Sequence, residues 1–351
     1  MYIEPRPDES SYSLLARAHL QTGARSPAES LWQLTGRRGH KPLSGLPTGS
    51  KEIVARIGLG IDVDEWVHKH TLFPLFRPFV PQQRLDFIRE SIRGSGAAKS
   101  RLGLLRSHCG AMEQLAYCSR CNDLAVSQFG HAYWTRATQL NGVAVCAHHQ
   151  LPLLKIAIED LPWKSRALVL PEAGQEMRIP DDKKGALAFI SQQVGELLND
   201  RTNIAVQHQM YVDILRSAGL YTKMGRVRGR LLTSAIRRWL KPIRELQPFD
   251  QLLSSLGVER NWATIAVACE GGFTHPLKHI VIWGAIGSTW RDLVDSAFSE
   301  YHQMELKLRV ASSPPPPTDA MVLETLQRTD TLTAAAGKLG CDVTTMGVWA
   351  D

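Results

Sequence analysis

The sequence lacks the motifs by which the commonest enzyme classes are recognised. It contains no G-x-x-x-x-G-K-[ST] phosphate loop, no G-x-S-x-G nucleophile elbow and no H-E-x-x-H metal-binding pair. Its acidic residues are scattered and form no recognisable nuclease or transposase constellation. Lone histidines such as His70, His275 and His279 are typical of structural positions. These absences favour a binding protein over an enzyme.

The sequence also has few cysteines and no long hydrophobic run. Cys109, Cys269 and Cys341 are widely spaced and suggest no disulfide framework, which points to a reducing compartment. The N-terminus contains no apolar run of the signal-peptide type, and the most apolar later stretch, 279–290, is too short to cross a bilayer. We therefore expect a cytoplasmic protein without a membrane partner.

Two pairs of metal-ligand residues have the spacing of a structural zinc site. The pairs are Cys118-Ser-Arg-Cys121 and Cys146-Ala-His-His149. Two intervening residues let both side chains of a pair turn toward one ion, and two such pairs complete a tetrahedral site. Three thiolates and one imidazole leave no open coordination position, which indicates a non-catalytic ion. The predicted ligands of this structural Zn²⁺ are Cys118, Cys121, Cys146 and His149.

The sequence leaves alternatives to this ligand set. His148, His131 and Cys109 are also chemically competent as the fourth ligand, although His149 repeats the spacing of the first pair. A lone C-x-x-C can instead be a redox motif, which follows a strand and begins a helix, but residues 106–117 show no such pattern. We therefore favour metal binding, with His149 as the fourth ligand.

The charge distribution favours a polyanionic partner. The chain has 41 Lys and Arg against 34 Asp and Glu, a net charge of +7, and the segment 216–244 holds nine basic residues and no acidic one. A local field of that kind favours a polyanion, usually nucleic acid, and we expect double-stranded DNA, although a solvated basic face is the other interpretation. The candidate DNA-binding residues of this segment are Arg226, Arg228, Arg230, Arg237, Arg238 and Lys241.

Hydrophobic spacing and capping residues predict a mainly α, multi-domain helical protein. In the connection 70–80, three prolines forbid a regular helix while the apolar side chains require burial, so we expect an irregular packed segment or a docking surface. Strand character at 130–136 and 143–146 predicts a small ribbon, to which 151–158 adds a strand. The predicted helices cover about 10–22, 26–34, 50–57, 62–70, 81–94, 98–116, 184–199, 203–218, 229–240, 247–256, 260–270 and 275–298.

Composition divides the chain into four predicted parts. They are an N-terminal helical domain at 1–105, a zinc-ribbon or zinc-finger module at 106–160, a helix-turn-helix-like helical region at 161–311 and a terminal helix-turn-helix at 318–351. The proline-rich run 312–318 is a stiff linker before the last part.

Helix-turn-helix elements are predicted at two places. One is 214–240, where Gly219 would form the turn. The other has helices at 319–328 and 332–339, followed by a recognition helix from Val343 that we expect to be cut short at Asp351. Any three-helix mini-bundle gives the same pattern. The candidate DNA contacts of the recognition helix are Thr344 and Thr345.

Several blocks of the sequence form a family pattern. They are Pro7-Asp-Glu-Ser-Ser-Tyr-Ser13, the metal module with Tyr133-Trp134-x-Arg136 at its centre, and His275-Pro-Leu-Lys-His279. In these blocks the chain resembles the TniQ/TnsD family of transposon target-selection proteins. The segment His70-Thr-Leu-Phe-Pro-Leu-Phe-x-Pro-Phe-Val80 is especially similar to the TnsD branch.

The resemblance implies a non-enzymatic helical protein with a zinc module and helix-turn-helix elements. In Tn-seven type transposition, members of this family mark the insertion site and recruit the AAA+ ATPase TnsC. TnsD-type members bind a chromosomal attachment site directly, whereas TniQ-type members of CRISPR-associated transposons sit on an RNA-guided Cascade complex. The basic segment favours direct DNA binding here, with the Cascade adaptor as the alternative.

The chain departs from the family pattern in both metal-binding knuckles. The family reads Cys-Pro-x-Cys and Cys-Pro-x-His-Gly, whereas Ser119, Ala147 and Gln150 stand here at the Pro, Pro and Gly positions. The ligand residues are retained, so the resemblance still implies metal binding.

Overall fold

The structure is a computed structural model, and it describes residues 3–37, 40, 42–43, 45–94, 109, 114–161, 164, 167–172, 174–176, 179–257, 261–269, 273–298, 318–329 and 331–339. The chain divides into two compact units, Met1–Ala297 and Phe298–Asp351. The described part is mainly helical, which confirms that prediction. No described helix is both long enough and apolar enough to cross a membrane. The finer domain boundaries stay predictions.

The N-terminal helices begin where the capping residues predict. The side-chain oxygens of Ser10, Ser26 and Asp62 each accept a hydrogen bond from a backbone N–H in the first turn of the following helix. These caps satisfy donors that have no partner within the helix. The helices are α1 Ser11–Thr22, α2 Pro27–Thr35, α3 Ser50–Ile57, α4 Val63–His70, α5 Phe73–Phe76 and α6 Gln82–Arg93.

The proline-rich segment 70–80 is more regular than predicted. It contains the single α-helical turn α5 and then a 3-10 helix, Arg77–Phe79. Pro74 and Pro78 stand in the first turn of these elements, where a missing N–H leaves no helical bond unmade. Every side chain of the segment is buried, which confirms the packing role.

A small antiparallel sheet follows the N-terminal helices. Strand β1 Gln114–Tyr117 pairs with β2 Leu154–Ala157, and β2 pairs with β3 Gln175–Glu176. The predicted helix at 98–116 is therefore wrong at its end, because β1 lies there, and its remainder lies outside the described residues. Helix α7 Ser119–Phe129 begins directly after β1.

The predicted ribbon strands at 130–136 and 143–146 are reduced to isolated bridges. Thr135 bridges to Glu9, and Val145 bridges to Pro152. The reason is that the intervening backbone turns: Gln139 N–H donates to the carbonyl of Arg136 (2.9 Å). The residues there with high strand propensity therefore pack in the core and do not form a hydrogen-bonded strand pair.

Helix α13 lies at the centre of the second helical group. Its residues Pro276 to Trp283 are all buried, and α8, α10 and α12 pack against it. The predicted helix 275–298 is interrupted at 287–289, where Gly287 adopts φ 71° and ends α13. The predicted helix 203–218 begins later, at His208. This group contains α8 Asp181–Asn199, α9 His208–Ser217, α10 Gly229–Leu240, α11 Phe249–Ser254, α12 Trp262–Ala268, α13 Pro276–Ile286 and α14 at 290–298.

The C-terminal unit contains two described helices. Helices α15 Asp319–Gln327 and α16 Leu332–Leu339 pack through Val322, Ala335 and Ala336, so the small side chains do allow close approach. The recognition helix predicted from residue 343, with Thr344 and Thr345, lies outside the described residues. A terminal helix-turn-helix therefore stays a prediction.

Candidate metal centre and nucleic-acid interface

The four predicted zinc ligands converge on one point. Their ligand atoms all lie within 4.8 Å of one another. The sulfurs of Cys121 and Cys146 are 3.7 Å apart. The Nδ1 atom of His149 lies 3.6 Å from the Cys118 sulfur, 3.3 Å from that of Cys121 and 3.7 Å from that of Cys146. The cluster could hold a metal ion.

These separations fit a tetrahedral zinc ion. With Zn–S bonds of about 2.3 Å and Zn–N bonds of about 2.0 Å, tetrahedral angles place two sulfurs about 3.8 Å apart and a sulfur and a nitrogen about 3.5 Å apart. A disulfide would instead require about 2.0 Å, so the 3.7 Å between Cys121 and Cys146 is no disulfide. Four protein ligands would fill the coordination sphere, which favours a structural ion.

The first ligand pair lies at a junction of strand and helix. Cys118 lies between β1 and α7, and Cys121 stands in the first turn of α7, where the N–H of Asn122 donates to the Cys118 carbonyl (3.0 Å). A strand therefore does precede the C-x-x-C pair, and the prediction that it does not was wrong. Convergence with the second ligand pair now favours a metal site over a redox motif.

The second ligand pair lies on a tight turn. The N–H of Cys146 donates to the carbonyl of Leu151 (2.8 Å), and the N–H of Gln150 donates to the carbonyl of Cys146 (2.9 Å). Closing this turn requires φ 53° at Gln150, in the left-handed region that favours glycine. This conformation explains why the family pattern has Gly where this chain has Gln150.

Hydrogen bonding within the cluster favours a thiolate at Cys146, while the pKa values of Cys118 and Cys121 are raised. Interactions with the Cys118 and Cys121 thiols lower the pKa of Cys146 and make its thiolate the most stable of the three. The N–H of His149 also points at the Cys146 sulfur (3.5 Å). A thiolate is the form in which cysteine binds metal.

The three alternative ligands lie outside this group. Cys109 is buried, and its carbonyl accepts a hydrogen bond from the Asn141 amide (2.7 Å). His148 is exposed, and burial lowers the pKa of His131. Among the described residues, the geometry therefore favours His149 as the fourth ligand.

The connection between the two ligand pairs joins both helical groups. The Arg136 guanidinium pairs with Asp8 (2.8 Å), and its Nη1 donates to two carbonyls at the end of α4 (2.6 and 3.1 Å). On the other side, the hydroxyl of Ser191 in α8 donates to the Val145 carbonyl (2.6 Å). The metal cluster thus lies between the N-terminal helices and the second helical group.

An open cleft of about 1070 Å³ borders the cluster. Its walls include Cys121 and His148 from the knuckles, Glu196 from α8 and Trp290 from α14. A catalytic metal would need an open coordination position facing such a cleft. The four converging side chains leave none.

Helix α10 carries basic residues on the face opposite its buried residues. Leu232, Ile236 and Leu240 recur every four residues and are buried. Counting 3.6 residues per turn puts Arg230, Arg238 and Lys241, which directly follows α10, on the other side, with Arg237 at its edge, and all four are exposed. The basic face runs for about 16 Å along the helix at 1.5 Å per residue. We call Arg230, Arg237, Arg238 and Lys241 the basic face.

The side chains of the basic face differ in whether they already have a hydrogen-bond or ion-pair partner. Arg237 donates from Nη2 to the carbonyl of Leu256 (3.0 Å), so it also holds the end of α11. In the described part of the chain, no carboxylate forms an ion pair with Arg230, Arg238 or Lys241. Unpaired guanidinium and ammonium groups of this kind are available to phosphates.

The aromatic residue of α10 serves packing. The Trp239 ring meets Phe189 edge-on at 5.9 Å between centroids, and it also covers Gly284 of α13 so closely that a Cβ at Gly284 would clash with the indole. Glycine at position 284 therefore lets α10 and α13 approach. This contact fixes the helix that carries the basic face.

The connection between α9 and α10 differs from the predicted tight turn at Gly219. Residues 218–228 form a longer link that includes a small hairpin, in which Tyr221 bridges to Val227. A helix-turn-helix turn has only three or four residues, so this segment departs from that motif. Arg226 and Arg228 are exposed on the hairpin, beside the basic face in sequence.

The lone histidines occupy structural positions. His70 Nδ1 lies 2.7 Å from the Glu9 carbonyl, and His275 accepts a hydrogen bond from a backbone N–H at the start of α13. The Tyr211 hydroxyl and His279 Nδ1 share a hydrogen bond (2.6 Å). Burial lowers the pKa of His70 to about 4, and burial lowers the pKa values of His275 and His279 to about 3. All three imidazoles are therefore neutral at pH 7.

Part of the chain is similar to known proteins. Residues 1–153, which include all four members of the metal cluster, match the family model TniQ. Over 203 residues the chain is 29% identical to the transposon Tn7 transposition protein TnsD of Escherichia coli, covering 56% of this chain and 39% of TnsD. The chain thus spans less than half of the length of that relative. Residues 1–153 are thus similar to the TniQ family, and part of the chain is similar to TnsD.

Proposed function

We propose that this chain is a target-selection protein of a Tn7-like transposon that binds a specific chromosomal attachment site directly. The basic face of α10 carries the proposal, because exposed, unpaired basic side chains at helical spacing suit a row of phosphates. The similarity to the TniQ family and to TnsD supports the transposition context. Recognition, not cleavage, is the proposed activity.

The proposed role of the metal is to fix geometry. A Zn²⁺ ion held by the four converging side chains would lock β1, α7 and the tight turn after Cys146 together. Since the connection between the ligand pairs contacts both α4 and α8, the ion would also set the N-terminal helices relative to the second helical group. Chemistry at the metal plays no part in this function.

The second proposed partner is a TnsC-type AAA+ ATPase. It would be recruited through the N-terminal region that matches the TniQ family, leaving the basic face for DNA. Co-sedimentation of the chain with the ATPase encoded by the same transposon tests this. Loss of that interaction in an Arg238→Ala/Lys241→Ala variant would contradict the separation of the two surfaces.

Salt-dependent DNA binding tests the main proposal. Replacing Arg238 and Lys241 by alanine is expected to make the negative slope of log K against log[salt] shallower by about 2, since each phosphate contact contributes about 0.9 to its magnitude. Lys51→Ala/Lys69→Ala removes the same charge from exposed positions on α3 and α4 and is the matched control. Equal slopes in both variants would contradict the proposal.

The Cascade adaptor is the competing outcome of this test. In that case the chain would bind target DNA only together with a guide RNA and Cascade subunits, and it would co-purify with them. Binding by the isolated chain without RNA supports direct recognition.

A further inference from the structure

The hairpin before α10 ends in an exposed methionine. The N–H of Gly225 donates to the carbonyl of Thr222 (3.1 Å), which closes a four-residue turn with Lys223 and Met224 at its centre. The Met224 side chain is 90% exposed. Folding thus leaves a large apolar side chain in water at the narrowest point of a projecting turn.

The turn is held firmly although its tip is exposed. The N–H of Thr222 donates to the Arg226 carbonyl (2.8 Å), and the Arg226 N–H donates back to the Thr222 hydroxyl (3.0 Å). At the base, the Tyr221 ring lies under the Arg216 guanidinium, 5.7 Å from its centroid. The N–H of Arg228 also donates to the Leu220 carbonyl (2.8 Å). These bonds position the tip before any partner arrives.

The charges around the tip indicate the kind of partner. Lys223 and Arg226 are exposed on either side of Met224, and no described carboxylate pairs with them. The chain then enters α10, which begins at Gly229 and carries Arg230 on the basic face. An apolar tip between cations suits a polyanion that also has an apolar interior, and duplex DNA with its stacked bases is such a partner.

We propose that the hairpin enters the DNA minor groove and that Met224 wedges against a base step, while Lys223 and Arg226 contact the flanking phosphates. This inference rests on the proposed DNA-binding function. Proteins that bind the minor groove insert apolar side chains between base steps, and such wedges partly unstack a step and bend the duplex. Met224 is then a positioning contact that shapes DNA without carrying charge.

Binding and bending of a labelled duplex test the wedge. The probe is a 30-bp mixed-sequence duplex with a central T-A step and a fluorophore at each end, which reports affinity by anisotropy and bending by energy transfer. Met224→Ala is expected to weaken binding roughly tenfold and to abolish the bend, with the salt slope unchanged. Met224→Leu is the conservative control and retains both. Lys223→Ala lowers the salt slope by about 0.9.

The outcomes separate this inference from the function on which it rests. Wild-type protein that binds no duplex at all overturns the proposed function and the wedge together. If wild type and Met224→Ala bind the duplex with the same affinity and bend it by the same angle, the wedge alone is overturned. If Met224→Ala instead loses binding to the TnsC-type ATPase and still bends DNA, Met224 makes a protein contact, and the wedge is also overturned. Because the side chain is exposed, thermal melts of all variants are expected to match the wild type.

Discussion

The metal cluster and the basic face of α10 are specified by the sequence in different ways. The cluster depends on four side chains whose ligand atoms meet within 4.8 Å, so their spacing along the chain is tightly constrained. The basic face needs only that several cations point outward from a helix whose other side is buried. Spacing therefore predicted the first almost completely, whereas charge predicted only the presence of the second.

The two regions also depend on the fold differently. The four side chains of the cluster come from one strand–helix junction and one turn, so a metal ion bound there would couple metal binding to local folding. The basic face instead depends on a largely apolar, buried helix, α13, on which α10 rests. Each region can thus be broken without direct damage to the other.

The largest effect is expected from breaking the metal cluster. Cys118→Ser removes one ligand, and structural zinc contributes binding free energies on the order of 10 kcal/mol to small sites. We expect less than one bound equivalent by metal analysis and a loss of near-ultraviolet dichroism from Trp134 and Tyr117, whose rings meet edge-on at 5.6 Å. Cys269→Ser, at an exposed cysteine, is the control. A full equivalent of zinc in the Cys118 variant would refute the ligand set.

Acid is expected to weaken the helix beneath the basic face. Burial and the Lys278 charge lower the pKa of His275 to about 3, below an unfolded value of about 6.5. The unfolded chain therefore binds this proton first as pH falls, so the contribution of His275 to stability is complete above about pH 6.5 and drops by about 1.4 kcal/mol per pH unit toward about pH 3. His70 and His279, whose pKa values are also lowered, add to the drop in the wild type. Urea unfolding across that range measures the slope.

His275→Asn isolates this contribution. Asparagine keeps an acceptor for the N–H of Leu277 at the start of α13 but does not titrate. The slope of unfolding free energy against pH between 6.5 and 4.5 should be smaller than in the wild type by about 1.4 kcal/mol per unit. Identical slopes in the two proteins would show that the imidazole is not held neutral.

Gly284→Ala is expected to disturb the basic region and spare the metal. A Cβ at this position would clash with the Trp239 indole, and overpacking of this kind costs about 1–3 kcal/mol. Gly195→Ala in α8 is the matched control, because nothing lies within 4 Å of its Cβ, and it should stabilise by about 0.5–1 kcal/mol. Denaturant unfolding and zinc content are the two readouts. Stabilisation by both substitutions would contradict the close approach of α10 and α13.

The smallest effect is expected at the tight turn of the metal cluster. Gln150 adopts φ 53°, which costs a non-glycine residue about 1–2 kcal/mol, partly offset by the greater entropy that glycine loses on folding. Gln150→Gly should therefore raise the free energy of unfolding by about 0.5 kcal/mol, and Gln150→Ala should not. If Gln150→Gly lowers the free energy of unfolding, the Gln150 side chain stabilises the protein by more than the strain of its backbone conformation costs.

Local signals explain most of what the sequence predicted. Ser10, Ser26 and Asp62 cap helices because each capping side chain and its backbone N–H donor lie within four residues. The two ligand pairs are equally local, and only their meeting is long-range. Gly287 illustrates the limit: it ends α13 in the left-handed region, while the apolar pattern continues past it.

What the sequence did not predict depends on distant pairing. Strand β1 exists because Leu115 pairs with Ile156, which no short window contains. The hairpin at Met224 rests on one bridge, too short to give an alternating pattern. Zinc itself, the DNA contacts of the basic face and the helix carrying Thr344 and Thr345 stay predictions.

The most direct measurement is selection of genomic fragments by the isolated, zinc-loaded chain without RNA, followed by footprinting of the enriched sequence. Direct recognition predicts one strongly enriched chromosomal site, lost in Arg238→Ala/Lys241→Ala and kept in Lys51→Ala/Lys69→Ala. A wild-type protein that enriches no sequence above the starting library would contradict it.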